Sequence, residues 1–388
     1  MDEYVARNPF HPTFGRSPAV VMGRESEVAQ FELALAEGAG NPWRTALISG
    51  SRGIGKTVLL NELETAAKAQ GWVVLRAHVG ENMLRDLVEV TIPRAYGSLD
   101  AAPPQRRTRV TGASIGKVGS LSLETERTRP EPRRNLLSEL QDLAGVTMPR
   151  GAGMVLTVDE VQSALPEHLH ELAVAIQDLN RDDVDIAFLA AGLPSGVEDL
   201  LQLEGTTFLR RAERILLDRL DGQTTSTLLR ETAELGGRPM NGEAIDLAAR
   251  VSQGYPYLIQ VVGSISWARA KLDDSECIRA KHVEASIDDV VARIGTQVHA
   301  PALRPVPPRQ RDFLHAMARL EKEAVKDAEQ GAQGIAVSDI AEALGSTTTG
   351  VSRLRHELIY RELIEAHSQG KVKFSLPYMA EYLNGLIR

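Results

Sequence analysis

Residues Gly50, Ser51, Arg52, Gly53, Ile54, Gly55, Lys56 and Thr57 spell G-x-x-x-x-G-K-[ST], and few eight-residue strings restrict a fold so strongly. The string lies between the apolar run Thr45–Ser49 and a helical pattern carried by Val58, Leu59, Leu60, Leu63, Ala66 and Ala67. That is the strand, loop and helix order in which such a loop closes around phosphates. Its glycines let successive backbone N–H groups turn inward, Lys56 reaches the terminal phosphates, and the Thr57 hydroxyl ligates Mg²⁺ at the positive end of the helix. The expected ligand is a nucleoside triphosphate with Mg²⁺. A glycine-rich turn with an incidental lysine is the alternative, and the flanking elements count against it.

A second stretch completes the metal–phosphate chemistry. Met154–Val158 reads as a buried strand, and it runs into Asp159 and Glu160. A strand ending in two carboxylates says little alone, but downstream of a phosphate loop it is a Walker B element. Asp159 then holds the Mg²⁺ through its water shell, and Glu160 polarises the attacking water. The distance between loop and carboxylates is longer than usual. Residues from about 96 to 134, rich in Pro, Arg, Gly, Ser and Thr, account for the excess as an insertion, part loop and part hairpin over 114–123. Its arginines, among them Arg106, Arg107 and Arg109, suit either nucleic acid or a solvated loop.

Composition narrows the class. A chain of 388 residues exceeds what one core organises, so two or three domains are expected. Aromatics make up only 4%, which favours Leu/Ala/Val-packed helices and parallel sheet over an aromatic-rich sandwich. The net charge of −8 does not advertise a nucleic-acid binder, though it leaves a local basic patch open. A single cysteine, Cys277, excludes an internal disulfide and a multi-cysteine metal cluster. With no secretory signal pattern and no long apolar span, the expectation is a cytoplasmic protein without a membrane partner.

Upstream of the loop stands Gly23-Arg24-Glu25-Ser26-Glu27, which opens a helix and can cap it. This box resembles the start of AAA+-type ATPases of the replication-initiator and archaeal-ATPase/STAND groups. The resemblance implies an α/β fold, a P-loop NTPase parallel sheet with an α-helical lid and a C-terminal winged-helix domain, and it places Gly23 and Arg24 beside the adenine and ribose. In that family the strand matching Asp185–Gly192 ends in a polar sensor residue. Here it ends Ala190-Ala191-Gly192, a departure that points to slow hydrolysis unless Ser195 substitutes. The segment 207–217 is similar to the one carrying an arginine finger, with Arg211 first and Arg210 second in line. A surface arginine pairing with Glu213 or Glu204 fits the same pattern. Gly254-Tyr255-Pro256 resembles the lid motif whose proline packs on the nucleotide, and Tyr257 stands where initiator-type members carry a sensor arginine.

The expected domains are an ATPase core over 1–220, a helical lid over 221–300 and a winged helix over 301–388. Lid helices are predicted at Thr224–Leu235, Asn241–Ser252, Tyr257–Lys271 and Ala280–Val298, followed by a proline-stiffened linker at 301–308. Beyond it the pattern gives helices Gln310–Lys322, Val337–Leu344 and Thr347–Arg361, a hairpin over 363–375 and a last helix, the order of a winged helix. Thr347, Thr348, Arg353 and Arg355 on the third helix, with Lys371 and Lys373 at the wing, form a candidate surface for double-stranded DNA. Function follows as an ATPase whose nucleotide state controls DNA engagement. The alternative is a slow-hydrolysing STAND-like switch that turns the same unit toward a protein or toward its own ATPase domain; a homo-oligomer or a protein partner fits either reading.

Overall fold

The computed structural model describes residues 7–13, 17–99, 101, 135–327 and 334–385. The hairpin expected over 114–123 and the arginines of the insertion fall outside the described residues.

Five strands, β1 (Thr45–Ser49), β2 (Val73–Ala77), β3 (Met154–Val158), β4 (Ile186–Gly192) and β5 (Glu213–Leu216), form one parallel sheet in the order β2-β3-β4-β1-β5. Every residue of β3 and β4 is buried. This is why both read as unbroken apolar runs: a parallel sheet is covered by helices on both faces, so neither face needs polar alternation. The expected α/β architecture is the one found. Because all five strands run the same way, the phosphate loop after β1, the carboxylates after β3 and the end of β4 meet along one edge of the sheet, where open parallel sheets bind ligands.

Buried polar contacts fix the flanking helices. Arg44 donates to Asp185 Oδ1 (2.6 Å) and to the carbonyls of Ala34 and Leu35, tying helix Glu25–Glu37 to the start of β4. Glu64, on the helix Lys56–Ala69 that follows the loop, accepts from Thr157 Oγ1 (2.8 Å) on β3 and pairs with Arg76 on β2. The helix that presents Lys56 and Thr57 is thereby held against the strand that presents Asp159.

Several boundaries differ from those expected. Residues 96–98 end helix Ile92–Ser98 instead of opening the insertion. The predicted helix 280–298 is broken into Ala280–Glu284, Ile287–Ile294 and a wider turn Gly295–His299, and Ala300–Leu303 continues it. The proline linker therefore shrinks to residues 304–307, since Pro301 sits in a first helical turn, where its missing N–H costs nothing, and Pro308 opens the next helix, Pro308–Asp327. Beyond it come β6 (Ile335–Ala336), helices Val337–Ala343 and Thr348–Tyr360, the strands β7 (Ile364–Ser368) and β8 (Lys371–Phe374), and helix Met379–Leu383. β6, too short to show a period, was not foreseen; it joins the hairpin in the order β6-β8-β7.

The three regions are not strung out. One apolar cluster runs from Phe31 and Leu59 under the sheet, through Tyr255 and Val262 of the lid, to Phe313 and Leu358 of the C-terminal unit. No helix among the described residues is long and apolar enough to cross a membrane.

Candidate nucleotide site

The loop after β1 works through its glycines. Gly53 has φ +77°, and a Cβ there would lie 2.8 Å from the Tyr255 hydroxyl, so both conformation and space demand glycine. Gly55, at φ +101°, caps helix Lys56–Ala69 in a left-handed turn. Ile54 is buried behind the loop. The Lys56 ammonium is buried and folded back to donate to the carbonyls of Gly50 (2.7 Å) and Ser51 (3.0 Å). Burial lowers its pKa, opposed by the charges of Glu160, Glu362 and Asp159.

Thr57 and Asp159 meet as expected of two groups that share one ion: Thr57 Oγ1 donates to Asp159 Oδ2 at 2.6 Å. The other Asp159 oxygen accepts from the Glu160 amide at 2.9 Å. Glu160 takes φ +57°, a left-handed conformation that a non-glycine residue adopts at a cost of about 1 kcal/mol, and its side chain accepts from the Gln162 carboxamide. The other end of that carboxamide, Gln162 Oε1, accepts from the Leu193 amide at 3.0 Å.

Gln162 was missed by sequence reasoning, and it explains the end of β4. A Cβ on Gly192 would lie 2.8 Å from Gln162 Oε1 and 2.5 Å from Val161 Cγ2, and one on Gly196 would lie 2.5 Å from Gln162 Cβ. The strand end is bare because an amide from the neighbouring turn already fills the space. Ser195, the expected substitute, lies elsewhere, in a neighbouring cavity with Arg52 and Glu362.

Around the loop opens a cavity of about 420 Å³, within the range of small-molecule sites. Arg52 through Thr57 and Glu160 line its phosphate end. Met22, Arg24, Pro256, Tyr257 and Gln260 line the rest, joined by His11 and Pro12 of the N-terminal segment. Arg24 is held by donating to the carbonyls of Gly23 and Asp218. The lid reaches the loop directly, since the Tyr257 amide donates to the Gly53 carbonyl at 3.3 Å. In the position expected of a sensor arginine, the Tyr257 hydroxyl donates to Gln297.

This arrangement decides what the segment is: residues 20–189 match the AAA ATPase domain family. They are an AAA ATPase domain. The whole chain also shares its fold with two solved proteins at low identity. The Walker-type ATPase PABY2304 of Pyrococcus abyssi is 17% identical with a TM-score of 0.63, over 94% of this chain and 96% of that one. The ORC2 protein of Aeropyrum pernix, solved as ADPNP–ADP complexes, is 16% identical with a TM-score of 0.62, over 97% and 96%. Residues 296–383 match a domain of unknown function (DUF8462). Among curated proteins no sequence matches.

Other expected residues lie away from the AAA ATPase cavity. Arg211 and Arg210 are exposed on the turn Thr207–Arg211 and line no part of it. In the C-terminal unit, Thr347 accepts from the Gly350 amide as a helix cap, and Thr348 is exposed beside it. Arg353 pairs with Glu357 (2.7 Å), Lys373 pairs with Glu365 (2.8 Å), and Arg355 is half-buried. Lys371 and Lys373 alternate with buried Val372 and Phe374, so the pleat turns both lysines away from the core. A second residue escaped notice: Glu362, between helix Thr348–Tyr360 and β7, whose carboxylate lies within electrostatic reach of Lys56, Arg52 and Glu160. Burial pushes it up to about 7, with Glu160 acting in the same sense and Lys56 and Arg52 opposing.

Proposed function

We propose that the protein binds and hydrolyses ATP at the loop Gly50–Thr57, and that the nucleotide state governs how its C-terminal unit, read as a winged helix, engages double-stranded DNA. The observation that carries the reading is the junction of Thr57, Asp159 and Glu160 beside the buried Lys56, at a cavity that Arg24 and Pro256 also line. The site fits Mg²⁺ and a triphosphate: the hydroxyl–carboxylate pair supplies oxygen ligands at a helix N-terminus, and the loop amides and Lys56 supply positive charge. Bound Mg²⁺ neutralises phosphate charge as the terminal bond breaks.

The residues of the chain divide the remaining work. Lys56 releases the Gly50 and Ser51 carbonyls to meet phosphate oxygens. Glu160, steered by Gln162, orients water. Arg211, exposed and outside the lining of its own cavity, suits service to a neighbouring copy, so specific activity rises with protein concentration under this reading. The fold shared with ORC2 of A. pernix, solved with ADPNP and ADP, supports an adenine nucleotide.

Thr347 and Thr348 are exposed at the N-terminus of helix Thr348–Tyr360 and would offer hydroxyls to a duplex, with Lys371 and Lys373 of β8 as the wing. A gel-shift titration at moderate salt tests this: duplex affinity is expected to differ between ATP and ADP. Equal binding in both, or none, removes the DNA reading. The STAND-like alternative, a slow switch without DNA, draws support from the docking of the C-terminal unit on its own ATPase domain, where the Tyr360 hydroxyl donates to Asp199. Negligible turnover, ADP co-purifying with the protein and no duplex binding would favour it.

A further inference from the structure

Glu362 has no role in the ATPase chemistry above, yet its placement is costly. It takes φ +57°, left-handed for a residue with a side chain. The turn is nevertheless firmly held, with the Glu362 amide donating to the Ile359 carbonyl (2.9 Å), the Leu363 amide to the Leu358 carbonyl (3.1 Å), and Leu363 and Ile364 buried in the C-terminal unit. Both Glu362 carboxylate oxygens are buried, and neither makes a hydrogen bond. A carboxylate shut away from water without donors is strongly disfavoured, and such groups mark places where a ligand or a rearrangement is to come.

Its surroundings say which ligand. The charges facing it are Lys56 and Arg52, which attract it, and Glu160, which repels it. Lys56, Arg52 and Glu160 all line the main cavity beside the phosphate loop. Glu362 lines an adjoining cavity of about 440 Å³ together with Arg52, Ser195 and Tyr360, and Arg52 borders both spaces. The C-terminal unit is fastened across this edge at several points. The Tyr360 hydroxyl donates to Asp199, Arg219 donates to the Ser375 carbonyl (3.1 Å), and the Tyr378 hydroxyl donates to the Val251 carbonyl (2.7 Å). His299 contacts the Pro377 carbonyl at 2.8 Å.

We propose that Glu362 is a specificity-determining residue for the nucleotide: docked, its carboxylate stands where a third phosphate would seek Lys56 and Arg52, so the docked chain accepts a nucleoside diphosphate and disfavours the triphosphate. A terminal phosphate brings negative charge to the same two cations. Carboxylate and phosphate cannot share them without repulsion, and Glu160 adds to it. A triphosphate enters only as the turn bearing Glu362 withdraws, and since that turn is packed into the C-terminal unit, the unit withdraws with it. By linkage, whatever holds the unit in its docked place favours diphosphate, and whatever draws it away favours triphosphate. The inference rests on reading Gly50–Thr57 as a nucleotide site.

The test is calorimetric titration of the full chain, stripped of nucleotide, with ADP and with ADPNP in Mg²⁺ at pH 8. The wild type is expected to bind ADP about tenfold or more tightly than ADPNP, in the usual range of coupling. Glu362→Gln keeps the shape and removes the charge, and should shrink that preference about tenfold while leaving ADP affinity within about twofold. Asp199→Asn, which weakens a docking bond without touching the carboxylate, should shift the preference the same way and carries the test if Glu362→Gln does not fold. ADP binding with an ADP-to-ADPNP ratio unchanged by the variants overturns the role of Glu362 alone. A wild type that binds neither nucleotide overturns the nucleotide site itself, and the proposal with it.

Discussion

Gln162→Ala is the most informative single change, because this one side chain links Glu160, after β3, to Leu193, after β4. Its carboxamide donates to Glu160 and accepts from the Leu193 amide at 3.0 Å, so truncation leaves that partly buried N–H without its acceptor. An amide left unpaired costs about 1–3 kcal/mol, and the half-exposed site puts this case at the lower end, about 1–1.5 kcal/mol in stability. The catalytic effect should be larger than the structural one. Glu160 already holds a left-handed backbone, and without Gln162 its side chain loses the bond that directs it; a misplaced base forfeits about 10–100-fold of the 10²–10⁴ that general base catalysis supplies. Urea unfolding gives the first number and single-turnover ATP hydrolysis the second. Nucleotide affinity should hold within about twofold, since Gln162 does not line the cavity. Gly192→Ala supplies the cross-check. Its methyl would press on Gln162 Oε1 and Val161, costing about 1–3 kcal/mol, and part of that cost should vanish in the double variant. Hydrolysis unchanged in Gln162→Ala, together with strictly additive stabilities in the pair, would refute the account of how β4 ends.

Glu160→Gln should preserve nucleotide binding and slow hydrolysis at least about 100-fold in single-turnover assays; unchanged turnover would show that Glu160 does not activate water. Gly53→Ala should weaken ATP and ADP binding at least about tenfold by calorimetry, because it forces a left-handed alanine, costing about 1–2 kcal/mol, against the Tyr255 hydroxyl. Glu321 offers a pH test: burial, with Glu381 nearby, raises its carboxyl to about 7, and its Oε2 has no hydrogen-bond partner. A raised acid favours the folded state below its unfolded value of 4.5 and loses that contribution as pH climbs through 7. Glu321→Gln should therefore stabilise the protein at pH 8 by about 1–2 kcal/mol, a figure discounted for partial exposure, and the gain should disappear near pH 4.5; a gain independent of pH would contradict it.

Much of the fold was legible because its signals are local. The glycines of Gly50–Thr57, the apolar run into Asp159 and Glu160, and the helical periods of the lid each carry their meaning among near neighbours, and the structure brings the loop, Glu160 and the start of the lid helix Pro256–Leu272 to one cavity. The helix break within 280–298 and the fate of the proline linker were not legible, since a proline in a first helical turn and one in an extended linker look alike in sequence.

The sequence by itself determined the parallel sheet, the loop and the order of the elements, because hydrophobic period and glycine placement act between near neighbours. Tertiary structure alone decided that Gln162 fills the space left by Gly192, that Glu64 ties the loop helix to β3, and that Glu362 comes within electrostatic reach of Lys56. Those meetings join residues far apart in the chain, with no pattern to announce them. They exist because the same edge of the sheet must accommodate the turn after β3, the end of β4 and a C-terminal unit sharing its apolar core. The phosphate loop is thus legible from its own eight residues, while the packing around it is decided by the whole fold.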